Sequence, residues 1–383
     1  MPGPAAHGPG QRPSARAPRA GIPIEAIDVS AYTVPTDQPE SDGTLSWDST
    51  TMVVVEVTAG EETGLGYTYA DTATAELVRD ELAGVVRGRD ALAVASSWSA
   101  MVHAIRNLGR PGIVGMALSA VDVALWDLKA RLLGVPLVVA LDAHHETVPV
   151  YGSGGFTSYS METLAGQLSG WVGAGIPRVK MKVGRRPEQD AERLRVAVEA
   201  VGDDAQLFVD ANGALTRKQA LGWAGRYADA GVAWFEEPVS SDDLAGLHLL
   251  RDRAPAGMDI TAGEYGYDLP YFQRMLAAEA VDCLQADVTR CGGYTGFLQV
   301  AALCDARCLD LSAHCAPQVS AHACAAVWHL RHLEYFHDHI RIESMLFDGV
   351  LEPEPGGALR PDRSRPGHGL SLKRSDAEPF LAK

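Results

Sequence analysis

Ionisable side chains recur at a nearly constant interval through the middle of this 383-residue chain, each directly after a short apolar run. From Lys182 onward, successive members lie 23 to 29 residues apart. The series comprises Lys180, Lys182, Asp210, Glu236, Glu264, Asp287, His314 and Glu343. Such an interval accommodates one β-strand, one helix and two connections. Ionisable residues at the carboxyl ends of successive parallel strands are typical of a (β/α) barrel, whose active site lies at that mouth.

The rest of the chain divides around this series. We expect residues 1–21, rich in Pro, Ala, Gly and Arg, to be a disordered tail. Residues 22–141 show three strand patterns and then three helical patterns, which predicts an α+β domain. Strands and helices then alternate through residues 142–350, with the last strand expected at the IRIES sequence of 340–344. Residues 351–383 should be a C-terminal segment that packs back on the α+β domain.

Composition excludes several classes of protein. The net charge is -16 and Lys and Arg are not clustered, so nucleic acid is not an expected partner. No apolar run has the length of a membrane span, and the first residues lack the apolar core of a signal peptide. We therefore expect a cytoplasmic protein without a membrane partner.

The six cysteines do not form closely spaced pairs. A zinc site using Cys304 and Cys308 with His314 or His322 is conceivable, but structural zinc sites usually have tighter spacing. We expect buried thiols in a reducing compartment instead.

Three carboxylates dominate the predicted barrel mouth. Asp210, Glu236 and Glu264 follow three consecutive strands, so a barrel would place them side by side. Converging carboxylates repel one another unless a cation lies between them, and oxygen ligands favour Mg²⁺ over softer metals. The sequence therefore predicts a Mg²⁺ site.

Candidate bases flank these carboxylates. Lys180 and Lys182 lie two apart on a strand and face the same way. On the other side, Asp287 would fix the tautomer of His314 and make it a general base. A cation beside a base suits abstraction of the proton α to a carboxylate, and a protonated Glu343 could stabilise the resulting enediolate.

Any one of these residues taken alone could be a solvated loop residue, an N-cap or a core histidine. Their occurrence at matching offsets in consecutive repeats argues for one catalytic site.

The combined motifs resemble the enolase superfamily and, within it, the mandelate racemase subgroup. They are KMK at 180–182, DANG at 210–213, EEP at 236–238, GE at 263–264, Asp287 followed by CGG at 291–293, and His314 with Glu343. The resemblance implies a modified (β/α)₇β barrel capped by the N-terminal α+β domain, whose lid loops supply specificity. The expected lid segments are 35–47, a polar stretch that we interpret as a loop, and 65–67.

The resemblance also implies a role for each site residue. Asp210, Glu236 (rather than Glu237) and Glu264 would bind Mg²⁺. Lys182 and His314 would face opposite sides of the α-carbon, with Asp287 orienting His314 and Glu343 stabilising the enediolate. Lys180 would contact the substrate carboxylate and lower the pKa of Lys182. Ser153 and Asn212 match positions that often touch substrate. The cap would contribute to the contacts of a homo-oligomer.

The reaction we expect is dehydration of an acid sugar to a 2-keto-3-deoxy acid. Racemisation or epimerisation of a 2-hydroxy carboxylate by the same two bases is the alternative, and cycloisomerisation of a muconate-like substrate is disfavoured because it would not need the His-Asp pair. A barrel that binds ligand without catalysis would lack a base or a metal ligand, and none is missing. The sequence leaves the particular substrate, its stereochemistry and the oligomeric state open.

Overall fold

A computed structural model describes residues 21–382, so all but the last residue of the expected 1–21 tail lies outside the described residues. The chain begins with an antiparallel sheet of three strands in the order β1-β2-β3. These strands are β1 (Ala26–Ser41), β2 (Ser46–Ala59) and β3 (Glu62–Tyr69). Their buried apolar residues face the helices that follow, as the three strand patterns predicted.

The helices of this first domain pack on its sheet. They are α1 (Ala73–Leu77), a π-helical turn (Val78–Leu82), α2 (Ala83–Val86), α3 (Val94–Ala104), α4 (Ile113–Leu132) and α5 (Leu137–Ala140). Helix α4 lies directly against β3, where an added Cβ would come within 2.3 Å of the Ala120 carbonyl at Gly66 and within 2.2 Å of the Ala124 carbonyl at Gly64. The expected lid at 65–67 is therefore wrong, because these glycines permit close helix packing within a buried strand.

The expected loop at 35–47 is also wrong. Strands β1 and β2 continue through it as a hairpin, with a register shift between Pro35 and Glu40. Its tip closes where Asp42 N–H donates to the Leu45 carbonyl at 3.0 Å. The hairpin contacts the barrel, where Thr157 N–H donates to the Ser41 carbonyl at 2.7 Å. Polar composition misled the prediction, since a hairpin that projects over a cavity has polar residues on both faces.

Eight parallel strands form a closed barrel, because the last pairs with the first. They are β4 (Val148–Gly154), β5 (Arg178–Lys182), β6 (Gln206–Asp210), β7 (Trp234–Glu236), β8 (Asp259–Ala262), β9 (Cys283–Ala286), β10 (Asp310–Ala313) and β11 (Leu330–Phe336). The seven connecting helices are α6 (Met161–Gly173), α7 (Pro187–Val201), α8 (Arg217–Asp229), α9 (Leu244–Arg253), α10 (Leu269–Ala277), α11 (Gly293–Asp305) and α12 (Pro317–Cys324). The predicted (β/α)₇β barrel with an N-terminal α+β domain is confirmed.

Local signals set the boundaries of the barrel helices. Thr216 caps α8 through a reciprocal capping box with Gln219, as its position before the helix predicted. Beyond the other end of α8, Gly231 has a φ of 80°, a conformation that costs glycine little.

An aromatic layer fills the barrel beneath the mouth. Tyr151, Phe208, Trp234 and His332 are buried together inside it, with the Phe208 and Trp234 rings stacked at 5.4 Å. Each lies two residues before a polar residue of the mouth, so both side chains point to the barrel interior. The aromatic layer excludes water from below the polar layer.

The final barrel strand is not where the sequence placed it. Strand β11 ends near Glu334, whereas Glu343 lies in the following helix, α13 (His337–Leu346). The connection between β10 and β11 contains a helix of only 8 residues, which shortens the last repeat. Glu343 is buried and accepts a hydrogen bond from the Tyr67 hydroxyl at 2.6 Å. The strand assignment of Glu343 is therefore wrong.

The C-terminal segment contacts both domains. Strand β12 (Phe347–Asp348) pairs with β14 (Ser371–Leu372), and β13 (Ala358–Leu359) pairs with barrel strand β4. On the cap side, His368 N–H donates to Asp127 at 2.8 Å, and Arg374 pairs with Glu56 at 2.7 Å.

Neither disulfides nor membrane spans occur in the described part of the chain. All six cysteines are free; five are buried as expected, and Cys308 is exposed. None of the helices in residues 21–382 combines the length and apolar composition needed to cross a lipid bilayer.

Glu343 should make stability depend on pH. Burial raises its pKa to about 8 from the ordinary 4.5, so the folded chain retains a proton that the unfolded chain releases within this window. Wild type should therefore lose stability relative to Glu343→Gln as the pH rises from 4.5 to 8, by up to about 1.4 kcal/mol per pH unit. Chemical denaturation at several pH values measures this difference. The exposed Glu61→Gln variant is the control, and a difference that is independent of pH would contradict the prediction.

Candidate active site

Three carboxylates converge at the barrel mouth. Asp210 and Glu236 end strands β6 and β7, and Glu264 follows β8 after Gly263. All three side chains are buried, and one oxygen from each lies within 4.8 Å of the others. The structure thus brings together the three residues that the sequence selected as metal ligands.

The environment of this cluster suits a cation. Burial and the charge of Asp210 raise the pKa of Glu236 to about 8. Glu264 Oε2 is buried and accepts no hydrogen bond from the residues that the structure describes, although His314 Nε2 lies 3.3 Å away. Oxygen donors of this kind are the ligands of hard divalent cations such as Mg²⁺, so the donor set fits the predicted metal.

Two lysines of strand β5 reach the same carboxylates. Lys182 Nζ lies 2.5 Å from Asp210 Oδ2, and Lys180 Nζ lies 2.5 Å from Glu236 Oε1 and 3.3 Å from Asp210. Lys180 pairs in register with Phe208 and Lys182 with Asp210, so Lys180 belongs to the lower layer. Lys180 is completely buried and lies beneath the cavity floor.

The charges around Lys182 act in both directions. Burial lowers its pKa, Asp210 raises it and Lys180 lowers it, and the sum is a pKa above the ordinary value. Lys180 thus acts to lower the pKa of Lys182, the direction that the family resemblance implied. Contact with Asp210 outweighs it and keeps Lys182 protonated in this structure.

On the opposite side, His314 and Asp287 form a hydrogen-bonded pair. His314 Nδ1 lies 2.7 Å from Asp287 Oδ2, while Thr289 donates to the other oxygen of Asp287 from both its backbone and its hydroxyl. The carboxylate therefore holds the imidazole with Nε2 directed away from Asp287. His314 Nε2 lies 3.3 Å from Glu264 Oε2, on the metal-ligand side of the mouth.

Glu334, two residues before the end of β11, is a site residue that the sequence analysis missed. Its Oε1 lies 2.9 Å from Lys180 Nζ, and its Oε2 lies 3.6 Å from His314 Nε2. Burial would raise the pKa of Glu334, but Lys180 and then His314 lower it well below its usual range. The available signal was the LRHLEYF sequence, which reads as a strand with Glu334 near its end.

Two further residues of the mouth were also missed. The Cys315 thiol lies 3.2 Å from His314 Nε2 and 3.4 Å from Glu334 Oε2. Arg290 donates to the Glu264 carbonyl at 3.1 Å and lies 3.5 Å from Asp287. Arg290 stands directly before the CGG motif, and Cys315 directly follows His314, so both were adjacent to recognised positions.

The two predicted substrate-binding residues differ in position. Asn212 lines the cavity above the carboxylates, in a left-handed conformation with φ of 44°, and its N–H donates to Asp210 Oδ1 at 2.9 Å. Ser153 is completely buried in β4 and lies outside the lining of the cavity.

A cavity of about 430 Å³ opens above these groups. Its catalytic side includes Lys182, Glu264, His314 and Glu334, and the cap hairpin and β3 cover the other side. The arrangement provides a hard cation site flanked by an ammonium group and an imidazole, in a space of the size that holds small molecules. It can remove a proton from a carbon atom beside a carboxylate and stabilise the resulting charge.

Family comparisons match both domains. Residues 26–141 match the model of the mandelate racemase/muconate lactonizing enzyme N-terminal domain, and residues 163–377 match the enolase C-terminal domain-like model. The crystal structure of a mandelate racemase/muconate lactonizing enzyme-like protein from Rubrobacter xylanophilus is 61% identical and has a TM-score of 0.92. The alignment covers 94% of this chain and 100% of that one.

Relatives with named activities include a cycloisomerase and a dehydratase. The 3,6-anhydro-α-L-galactonate cycloisomerase of Streptomyces coelicolor is 32% identical over 91% of this chain and 97% of its own. The L-talarate/galactarate dehydratase of Salmonella typhimurium is 28% identical over 94% of this chain and 91% of its own. A crystal structure of a variant L-talarate/galactarate dehydratase liganded with Mg and L-glucarate has a TM-score of 0.88 at 26% identity, covering 99% of this chain and 97% of that one.

Metal binding should distinguish the two neighbouring glutamates of the EEP sequence. Glu236→Gln should weaken Mg²⁺ binding at least about tenfold, because even residues that only orient a ligand contribute that much. Glu237 is equally buried but lies outside the converging cluster, so Glu237→Gln should bind Mg²⁺ nearly as wild type does. Isothermal titration calorimetry measures both. Equal losses in the two variants would show that Glu236 has no special role.

Proposed function

Because the chain belongs to the mandelate racemase/muconate lactonizing enzyme family of the enolase superfamily, we propose that it is a Mg²⁺-dependent dehydratase of a sugar acid. The reaction would remove the proton α to the carboxylate and then the β-hydroxyl, giving a 2-keto-3-deoxy acid. The observation that carries this proposal is the pairing of His314 with Asp287 across the carboxylate cluster from Lys182. One side of the site can accept a proton while the other donates one.

Asp210, Glu236 and Glu264 would hold the Mg²⁺. The bound ion would neutralise these carboxylates, remove the interaction that keeps Lys182 protonated, and stabilise negative charge on the substrate carboxylate. Lys182 lies at the edge of the cavity and would take the α-proton. Lys180 lies below and would raise the positive potential there without touching the substrate.

His314 would act on the leaving group. As an imidazolium it donates a proton from Nε2 to the departing hydroxide, which leaves as water. Asp287 stabilises the charged imidazole through the 2.7 Å hydrogen bond at Nδ1. The enol that remains then tautomerises to the 2-keto acid.

We assign to Glu334 the stabilising contact that the sequence placed at Glu343. Glu334 lines the cavity beside His314, whereas Glu343 is hydrogen bonded to Tyr67 in the helix that follows β11. A hydrogen bond from Glu334 to the enediolate requires a proton on Glu334. In this structure Lys180, 2.9 Å away, and His314 lower the pKa of Glu334, so Glu334 would need to gain that proton when the substrate and Mg²⁺ bind.

Racemisation or epimerisation is the second candidate, because Lys182 and His314 flank the cluster and could serve opposite faces of the same carbon. The Streptomyces relative also reopens cycloisomerisation, which the sequence argument disfavoured. These outcomes differ in products: racemisation inverts the α-carbon without forming a keto acid. A cytoplasmic location and a homo-oligomeric state stay predictions.

Substitution of His314 tests the reaction type. His314→Asn should lower formation of 2-keto acid, measured by semicarbazide absorbance, by roughly 10²–10⁴, the usual contribution of a general acid or base. Exchange of the substrate α-proton in D₂O, followed by NMR, should persist through Lys182. His329→Asn is the matched control, because His329 also pairs with an aspartate, Asp305 at 2.9 Å, but on the surface. Normal turnover by His314→Asn would remove His314 from the mechanism.

A second pair of variants tests the assignment of the stabilising glutamate. Glu334→Gln should lower kcat by roughly 10²–10³, the scale observed when one group that stabilises an oxyanion is removed. Glu343→Gln should leave kcat within a few-fold of wild type, since its side chain lies outside the cavity lining. Steady-state kinetics with Mg²⁺ at saturation separates the two. A larger loss of kcat in Glu343→Gln than in Glu334→Gln would instead assign stabilisation of the enediolate to Glu343.

A further inference from the structure

The cavity has a second end, which the proposed chemistry does not use. We call it the distal end; it is formed by the cap hairpin, β3 and the start of α13. The lining residues that matter there are Trp47, Ser49, Thr50, Asp71, Phe336 and His339. They offer aromatic faces, one imidazole, one carboxylate and two hydroxyl groups, of which that of Thr50 donates to Asp338, to the part of a substrate that extends beyond the reacting carbons.

Positive charge is confined to the catalytic end of the cavity. The described lining includes two residues with permanent positive charge, Lys182 and Arg290. Arg290 is committed to Glu264 and Asp287, with contacts of 3.1 to 3.5 Å. Arg185, near the mouth, donates to the Leu45 carbonyl at 2.9 Å, and it is not part of the lining.

Negative charge, by contrast, is present on the cap side. Asp42 lines the cavity and uses one carboxylate oxygen to accept from the N–H groups of Thr44 and Leu45 at the hairpin tip. Asp71 also lines the cavity, and accepts from Ala73 N–H at 2.9 Å. A carboxylate bound at the distal end would meet the Asp71 side chain and find no ammonium or guanidinium group there among the described lining residues, while Asp42 adds negative charge at the hairpin tip.

The imidazole at the distal end is a neutral hydrogen-bond donor. His339 is buried and stacks on Tyr69, with ring centroids 3.4 Å apart. Its Nδ1 accepts from the Ala316 N–H at 3.2 Å, which places the ring proton on Nε2. Burial and the nearby His314 lower the pKa of His339 well below its usual range. His339 therefore supplies one N–H donor but no positive charge to offset a second carboxylate.

We propose that the substrate is a monocarboxylate sugar acid whose uncharged hydroxyl end binds at the distal end, so that dicarboxylate sugar acids are rejected. This inference rests on the proposed function, since the single carboxylate is taken to lie at the metal site. Repulsion by acidic groups, together with the absence of a compensating cation in the described lining, is what excludes the diacid.

The test compares mono- and diacids of matched configuration with the Mg²⁺ enzyme: galactonate against galactarate, and gluconate against glucarate. For the pair that reacts, kcat/KM should favour the monoacid by at least about a hundredfold, the scale expected for unfavourable like charges in a binding site. Keto acid formation and α-proton exchange in D₂O are both recorded. A preference for the diacid would overturn this inference and leave the proposed function standing.

A positive charge introduced at the distal end should weaken the discrimination against dicarboxylate sugar acids. Ser49 lines the cavity from an exposed position on β2, so Ser49→Arg adds a guanidinium without removing a buried contact. The monoacid-to-diacid ratio of kcat/KM should fall at least about tenfold in this variant, and Ser49→Gln, which adds length without charge, should keep the wild-type ratio. An unchanged ratio in Ser49→Arg, or equal changes in both variants, would contradict the assignment. If neither acid class reacts or exchanges its α-proton, the proposed function itself fails and this inference with it.

Discussion

Concentrated buried charge at the barrel mouth is the constraint on which the rest of the structure depends. Asp210, Glu236 and Glu334 surround the ammonium of Lys180, which has no access to solvent. Burying such groups costs several kcal/mol each unless every one is paired, so small displacements are strongly disfavoured. The barrel supplies the required rigidity, since each group lies at or near the end of a hydrogen-bonded strand. The negative charge of the carboxylates that the lysines do not neutralise would be neutralised by a divalent cation.

The layer below and the cap above isolate this charge from water. Phe208 and Trp234 lie two residues before Asp210 and Glu236, and the Trp234 indole donates to Glu236 Oε2 at 2.9 Å. From above, the cap hairpin and β3 close over the cavity, while the C-terminal segment ties the cap to the barrel through Asp127 and His368. Electrostatic interactions strengthen in such a low-dielectric site, which is the condition that removal of a weakly acidic proton requires.

The two domains divide the chemistry between them. Barrel strand ends provide the carboxylate cluster and the His–Asp pair, in positions that the strand register fixes, and these are the groups that we propose bind the cation and transfer protons. The cap provides the distal end, where Trp47, Ser49 and Thr50 come from one hairpin. Under the proposed function, substitutions on that hairpin would change the contacts to the far end of the substrate without disturbing the buried charges, so reaction type and substrate preference would vary separately. Backbone strain is concentrated at the barrel mouth. Positive φ angles occur where the chain leaves the barrel strands, at Asn212, Glu237 and Cys315.

The sequence by itself determined the barrel, the cap, the convergence of Asp210, Glu236 and Glu264, and the pairing of Asp287 with His314, because strand period and strand-end position are local properties. Tertiary structure decided the rest. Because the repeats were assumed to have equal length, the last strand was predicted at Glu343. The helix before the last strand is short, so the strand comes earlier in the chain and contains Glu334 instead. The spacing of the earlier repeats does not reveal that the last one is shorter. Likewise, residues 65–67 were expected to form a lid, but helix α4 packs closely against the glycines at 64 and 66 of the same strand. The polar run at 35–47 was expected to be a loop, but it continues the two strands as a hairpin that the barrel supports. In each case the deciding contact joins residues distant in the chain, which no local pattern encodes.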